Sequence, residues 1–175
     1  MEFRDLTADD IEVRVAQITE KGCSLLLYKN ARVDMAILDE TVGASAWQRK
    51  HYECKGNLFC SVGIVCGPQS DIYWVWKDDC GTESNTEKEK GEASDSFKRA
   101  CFNWGIGREL YTAPRIFIPA DKVKIVDSKS GKKATYDRFR VEKIKIVAKQ
   151  IVGVSIMNQA GTRVFVWQKD EKNGK

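Results

Sequence analysis

The segment that decides the fold runs from residue 87 to residue 104 and reads EKEKGEASDSFKRACFNW. Its apolar and small residues recur three or four positions apart, which is the period of an amphipathic helix. Thr86 precedes it and Glu89 follows three residues later, an arrangement typical of a capping box. We therefore predict a helix from about 87 to 104 whose apolar stripe covers a sheet. The stripe consists of Ala93, Phe97, Ala100, Cys101 and Trp104.

Upstream of this helix the chain alternates apolar and polar residues, which is the pattern of antiparallel strands. Residues 11–28 predict a hairpin that turns at Lys21-Gly22. Residues 31–42 predict a short helix that stops at Gly43, a residue suited to a left-handed cap. Residues 44–81 hold three strand-like runs separated by glycine-containing turns, so we expect a β-meander.

Both faces of the third meander strand carry large apolar groups. Alternation separates the side chains of Ile72, Trp74 and Trp76 from those of Tyr73, Val75 and Lys77. One face is expected to pack on a helix and the other on a further surface, such as a neighbouring subunit. Aromatic rings of the meander could stack nucleobases, but aromatic residues on a meander more often belong to a core or a subunit interface. These aromatic residues are Trp47, Tyr52, Tyr73, Trp74 and Trp76.

The last third of the chain is rich in strands and in positive charge. Strand-like runs from about 123 to 167 predict a second small sheet, with a hairpin turn at 158–161. Residues 120–150 include ten lysines and arginines but four acidic residues, so the excess positive charge is concentrated there. We expect an α+β fold in which an antiparallel meander packs on one long and one short helix. Its predicted parts are a core at 1–115, a basic β-rich subdomain at 116–170 and a frayed tail at 171–175.

Composition narrows the function classes. The 175 residues suffice for one domain, or for one domain with a small appendage, with a core of its own. A net charge of +4 is too small to demonstrate a nucleic-acid partner by itself. No run is long and apolar enough for a membrane span, and no leader pattern opens the chain, so we expect a cytosolic protein. The six cysteines form no CxxC pair and are expected to be buried free thiols. A single histidine makes a zinc site or a His-dependent triad improbable.

The segment from Asp79 to Tyr111, DCGTESNTEKEKGEASDSFKRACFNWGIGRELY, resembles the signature of the Rad-fifty-two family. In that signature a few polar residues are followed by a hydrophobic residue and by Lys-Arg-Ala, and the helix then ends at an aromatic residue and a glycine. In this chain the first part is SDSFKRA at 94–100 and the second is NWG at 103–105. The longer pattern is similar to the family's phage and prophage single-strand annealing proteins, the Sak-type branch. The resemblance covers about residues 11–113 and is weaker, though collinear, upstream. Residues after Ala120 match no family that we can name.

The resemblance implies a non-catalytic protein that binds single-stranded DNA and anneals complementary strands without ATP, metal or other cofactor. It implies subunits that join their sheets edge to edge in a ring or arc. Lys98 and Arg99 match the cations that hold backbone phosphates, and Arg14 matches an arginine of the same groove. The remaining DNA-binding candidates are Lys88, Lys90 and Arg32. Charge alone favours a solvated face for Lys98 and Arg99, with acidic partners at Glu92 and Asp95.

The basic stretch after residue 120 is a candidate second DNA surface, for duplex or for an incoming strand. Its alternative is an ordinary solvated sheet face. The residues concerned are Lys132, Lys133, Arg138, Arg140, Lys143 and Lys145.

Two other functions stay open on the sequence. One is a monomeric module that protects single strands without pairing them. The other is a metal-dependent nuclease that would use Asp78, Asp79 and Glu83, although a strand-end turn is the more economical interpretation of these acids. For the annealing protein the resemblance implies a bacterial cytoplasm, a phage or prophage origin, and a phage exonuclease or single-strand-binding protein as partner.

Overall fold

A computed structural model of the chain describes residues 1–82, 88–128 and 131–170. The fold is α+β, with two α-helices and antiparallel strands in the described residues. The helices are α1 (Ala31–Val42) and α2 (Lys88–Trp104). The strands are β1 (Glu12–Thr19), β2 (Gly22–Tyr28), β3 (Trp47–Cys54), β4 (Asn57–Cys66), β5 (Tyr73–Cys80), β6 (Ile116–Pro119), β7 (Val126–Asp127), β8 (Lys133–Ala134), β9 (Phe139–Val147), β10 (Gln150–Asn158) and β11 (Arg163–Gln168).

The chain divides into two compact units. Unit 1 comprises Met1–Arg4 and Asn30–Arg108, and unit 2 comprises Asp5–Lys29 and Glu109–Lys175. This division differs from the predicted one at residue 115, because the N-terminal hairpin belongs with the C-terminal strands. Alternation identifies strands but carries no information on distant partners, so the sequence could not reveal that pairing.

Unit 1 is a three-stranded antiparallel sheet, in the order β3-β4-β5, that packs on α2. The prediction of a meander followed by a long helix is confirmed. The core lies between β4 and the predicted apolar stripe of the helix. Cys60, Val62 and Ile64 of β4 are fully buried, as are Phe97 and Cys101 of α2.

The two faces of the meander carry different side chains. Lys77 of β5 faces α2, since its Nζ donates to the carbonyl oxygen of Asn103 at 2.8 Å. Trp76, the preceding residue, lies on the opposite face over Gly63, where an added Cβ would sit 2.7 Å from the indole ring. A glycine at 63 therefore admits the indole close to the backbone of β4.

The described ends of α1 lie where they were predicted, but the conformation of its C-terminal residue differs from the predicted left-handed cap. Asn30 caps α1, its side chain accepting from the backbone N–H groups of Arg32 and Val33. Gly43 ends the helix at φ 86° and ψ 145°, so its φ is positive but its ψ is extended rather than left-handed helical. Thr86 and the predicted capping box lie outside the described residues, within which α2 begins at Lys88.

Unit 2 is a six-stranded antiparallel sheet in the order β11-β10-β9-β1-β2-β6. Its end strands, β6 and β11, contact each other, so the sheet curls around a core. The last third therefore does not form a separate small sheet, because β9 pairs with β1. That junction is narrow, since Glu12 and Arg140 form the one registered pair between the two strands. The core side chains include Leu25, Ile118, Ile151, Ile156 and Val164.

All six cysteines are free thiols. Cys23, Cys60 and Cys101 are buried, as predicted. The prediction of burial is wrong for Cys54, which is exposed at the end of β3, and holds only in part for Cys66 and Cys80. These three residues lie at strand ends, where the sheet gives less cover than it gives the middle of its strands.

Candidate nucleic-acid interface

The SDSFKRA motif separates core from surface on α2. Phe97 and Ala100 have no exposed surface, whereas the side chains of Lys98 and Arg99 between them are 25% and 40% exposed. Successive helical residues point about 100° apart, so the two cations leave the helix in different directions. The helix therefore presents both charges at the surface of unit 1, but not side by side.

Each of the two cations has an acidic neighbour. Arg99 Nε lies 3.2 Å from Asp79 Oδ1 on β5, and Lys98 Nζ lies 4.0 Å from Asp95 Oδ1 one turn earlier. Of the two acids considered from the sequence, Asp95 is thus a partner. Glu92 instead accepts from the backbone N–H of Leu58. Arg99 is held more closely than Lys98, because its partner is at hydrogen-bond distance.

Other cations gather at the C-terminal end of α2. Lys77 donates to the Asn103 carbonyl and lies 4.6 Å from the centre of the Trp104 ring. Arg108 donates to the carbonyl oxygens of Phe102 and Asn103. Positive charge is favourable at this end of a helix, where carbonyl groups lack helical partners. The role of these two cations is thus accounted for by the helix itself, and sequence reasoning did not single them out.

Of the other predicted DNA-binding residues, three belong to unit 1 and one belongs to unit 2. Arg32 is exposed in the first turn of α1. Lys88 and Lys90 fall in the first turn of α2, where their side chains lie outside the description. Arg14, which the resemblance assigns to the same groove as Lys98, lies on β1 in unit 2.

Three of the six predicted second-surface cations share one face of the unit 2 sheet, and a fourth, Arg138, is exposed just before β9. Arg140 is registered with Met157, Lys143 with Ser155 and Lys145 with Gly153, and these β10 partners alternate by two. Cross-strand partners share a face. Glu142 has no registered partner on β10, so the alternation of side chains along β9 is shifted by one residue there. Lys143 and Lys145 therefore lie on the face that carries Arg140. The cationic row is defined as Arg138, Arg140, Lys143 and Lys145.

The cationic row is exposed, and its members form no ion pair within the described part of the chain. All four residues are exposed, and none has a carboxylate within 4.0 Å among the described residues. Arg140 contacts the thioether of Met157, a weak acceptor, at 3.4 Å. Residues two apart on a strand are spaced by about 6.6 Å, so the row forms an extended line of positive charge.

The other two predicted second-surface residues lie on the β7–β8 hairpin and differ from the row. Lys133 Nζ is 2.9 Å from Asp127 and 3.7 Å from Glu20. The hydrogen bond with Asp127 is the main cause of the raised pKa of Lys133. Lys132 is exposed beside it. Lys133 therefore belongs to a local ion-pair cluster rather than to the row.

Arg14 lies on the same face of unit 2 as Arg140. Glu12 is registered with Arg140, and Arg14 follows Glu12 by two residues on β1. The Arg14 guanidinium lies 6.0 Å from the centre of the Tyr28 ring, and the Tyr28 hydroxyl donates to Glu12 at 2.5 Å. That hydrogen bond raises the pKa of Tyr28. Sequence reasoning named Arg14 and Arg140 for different surfaces, and the pairing of β1 with β9 brings them together.

The outer face of the meander in unit 1 carries four aromatic rings. Tyr52 stacks on Phe59 at 5.5 Å and Trp74 on Trp76 at 5.8 Å between ring centres. Lys50 Nζ lies 4.3 Å from the Trp76 ring. Tyr52 and Trp74 are 42% and 39% exposed, so the rings remain accessible. Trp47 lies elsewhere, stacked on the buried Phe97. Phe59 and Lys50 were missed in the sequence, although alternation on β3 and β4 could have placed them.

The acids considered for a nuclease are engaged in hydrogen bonds. Asp78 accepts from Ser61 and Tyr52 on the outer face, and Asp79 pairs with Arg99. Glu83 lies outside the described residues. In residues 1–82, 88–128 and 131–170, no group of three acidic, cysteine or histidine side chains is placed to hold a metal ion.

Comparison of the chain with protein-family models, with curated proteins and with solved structures gives no match. None of the described helices is both long and apolar enough to cross a membrane.

Proposed function

We propose that this protein binds single-stranded DNA through its backbone phosphates and anneals complementary strands, in the manner of the Rad-fifty-two-like proteins it resembles. The observation that carries the proposal is the placement of SDSFKRA on α2. Its hydrophobe and alanine are fully buried, and its Lys98 and Arg99 emerge at the surface between them. This is the separation that a structural anchor and a phosphate contact require.

The cationic row, which lies in unit 2, also supports a nucleic-acid ligand. Its four residues are exposed and have no carboxylate within ion-pair distance in the described part of the chain. Contacts to phosphate neutralise the repulsion between strands and leave base edges free to find a partner. Such contacts need neither a nucleophile nor a nucleotide. The row is the second surface in the proposal, and Lys132 and Lys133 are peripheral to it.

The sheet of unit 1 supports assembly into a ring or arc. In the described residues, β3 and β5 each pair only with β4, so each has one edge without a strand partner. Exposed edges of this kind join readily to another chain. The aromatic outer face next to these edges fits burial in such an assembly, since aromatic residues are enriched at interfaces. Copies that add edge to edge in one direction close into a ring when the rotation permits.

The test mixes two complementary dye-labelled oligonucleotides with the protein in EDTA, without nucleotide, at two salt concentrations. We expect pairing faster than in the no-protein control, and we expect the gain to fade at high salt. Tight binding without faster pairing would replace annealing by strand protection. Absence of binding would overturn the proposal. Native mass measurement of the same sample separates a ring from a monomer.

A further inference from the structure

The sheet of unit 2 opens beside its narrowest junction. The two strands pair antiparallel near their first residues, so β1 continues past Glu12 alongside the segment that precedes β9, without further registered pairs. A cavity of about 350 Å³ lies at this opening. Four apolar residues line it: Ile11 and Phe139, which are buried, and Val13 and Val15, which are half-buried. We call this cavity the β1–β9 slot.

The rim of the slot is polar and carries both arginines and carboxylates. Tyr28, Arg138 and Arg140 line it, and Arg14 lies over the Tyr28 ring. Two acids also line the slot, but each is already bonded. Glu12 accepts from the Tyr28 hydroxyl, and Asp137 accepts from the Lys124 backbone N–H and from the Gln159 side chain.

The two arginines of the rim are available for an anion. Neither Arg138 nor Arg140 is in an ion pair within the described residues, and Arg140 makes only a weak contact with the Met157 thioether. Guanidinium groups form bidentate hydrogen bonds with phosphate. On binding, Arg140 would exchange its weak contact with the Met157 sulfur for a stronger hydrogen bond with a phosphate oxygen.

The walls and the rim together select a ligand with a flat apolar part and a negative charge beside it. The volume lies at the small end of the range for ligand sites, about 300 to 1,000 Å³, which suits one planar ring system. An unstacked base in a single strand has this form, with a phosphate on either side. Splayed bases commonly rest on aromatic rings or guanidinium planes.

We propose that the β1–β9 slot takes one unstacked base of a bound single strand, while Arg138 and Arg140 hold the adjacent phosphates. The inference rests on the proposed function for its ligand. A base held in the slot would fix the position of the strand on the protein. That base would be unstacked from its neighbours, while the remaining bases stay free to pair.

The experiment maps photo-crosslinks from a single-stranded oligonucleotide that carries 5-iodouracil at each position in turn. Binding is followed in parallel by fluorescence anisotropy. We expect crosslinks to Tyr28 or Phe139 in the wild-type protein. The double variant Arg138→Ala/Arg140→Ala should lose most of this crosslinking, and its log-log salt slope should fall by about 0.7 per arginine removed.

The matched control is Arg115→Ala, which removes an exposed arginine of the same unit outside the slot. It should keep the crosslinks to Tyr28 or Phe139. Binding with crosslinks only elsewhere, or equal loss of crosslinking in the control, would overturn the slot and leave the proposed function standing. Absence of binding would overturn both. If the double variant fails to fold, the wild-type crosslink map decides alone.

Discussion

The guanidinium of Arg99 lies against the carboxylate of Asp79, with Nε 3.2 Å from Oδ1. One residue belongs to α2 and the other to β5, so the pair links the helix to the sheet on which it packs. Both side chains are partly exposed, and exposed ion pairs contribute about 0 to 1 kcal/mol. Asp79 is therefore a weak structural contact but a direct competitor of any phosphate that Arg99 would bind.

We expect Asp79→Asn to bind single-stranded DNA more tightly than the wild-type protein. The substitution removes a negative charge next to the phosphate position and loosens the hold on Arg99. A gain of up to about fivefold in Kd follows from an exposed pair of about 1 kcal/mol. Fluorescence anisotropy at low and high salt measures it. Asp78→Asn is the matched control, because Asp78 faces the opposite side of the sheet, towards Ser61. An equal gain in both variants would contradict the role of the Arg99 pair.

Lys98→Ala and Arg99→Ala should each weaken binding while the protein keeps its fold. Each change removes one phosphate contact, so the log-log salt slope should fall by about 0.7. Thermal melting should change little, since both side chains are partly exposed. Lys55→Asn is the control, because it removes one positive charge at a turn residue with φ 54° that asparagine tolerates. A large drop in melting temperature for either α2 variant would show that its cation is structural.

The local elements of unit 1 could be predicted because their signals are local. The period of SDSFKRACFNW is helical, and it correctly separates Phe97 and Ala100 from Lys98 and Arg99. Alternation likewise located each meander strand. What the sequence could not provide was strand pairing across the chain, which joins β1 to β9 and divides the molecule differently from a boundary at residue 115.

The cationic row illustrates a second limit. Strict alternation along β9 places Lys143 and Lys145 on the face opposite to Arg138 and Arg140. The register shift at Glu142 reverses this phase, so that Lys143 and Lys145 share the face of Arg140. A bulge of this kind depends on the partner strand, and no turn residue or proline marks it in the sequence. For the same reason the sequence could identify Arg14 as a candidate contact but could not show that it shares a face with Arg140.

Thiol reactivity should divide the cysteines by burial. Desolvation raises the pKa of Cys60 to about 11, and burial likewise raises the pKa of Cys23. The thiolate is the reactive form, so both thiols should resist alkylation in the folded protein at pH 8. Cys54, which is exposed, should react first. Mass spectrometry after timed labelling measures the order, with Cys54→Ser and a denatured sample as controls. Rapid labelling of Cys60 before Cys54 would contradict the burial of β4.

Glu142 should give unit 2 a distinct acid sensitivity. Its carboxylate accepts from Arg163 Nε at 2.6 Å, and this pairing is the main cause that lowers the pKa of Glu142 to about 2 from its ordinary 4.5. A carboxylate whose pKa is lowered by folding stabilises the native state above its unfolded pKa, and that contribution is lost as the pH falls.

The contribution of Glu142 should therefore be complete above about pH 4.5 and should disappear as the pH falls towards 2. Glu142→Gln should be less stable than the wild-type protein at pH 6, and the difference should narrow across that interval. Urea unfolding at pH 6, 4 and 3 measures it. Asp121→Asn, which changes an exposed acid of the same unit, should leave the wild-type slope unchanged. Parallel pH profiles for wild type and Glu142→Gln would mean that the Arg163 pair does not form in solution.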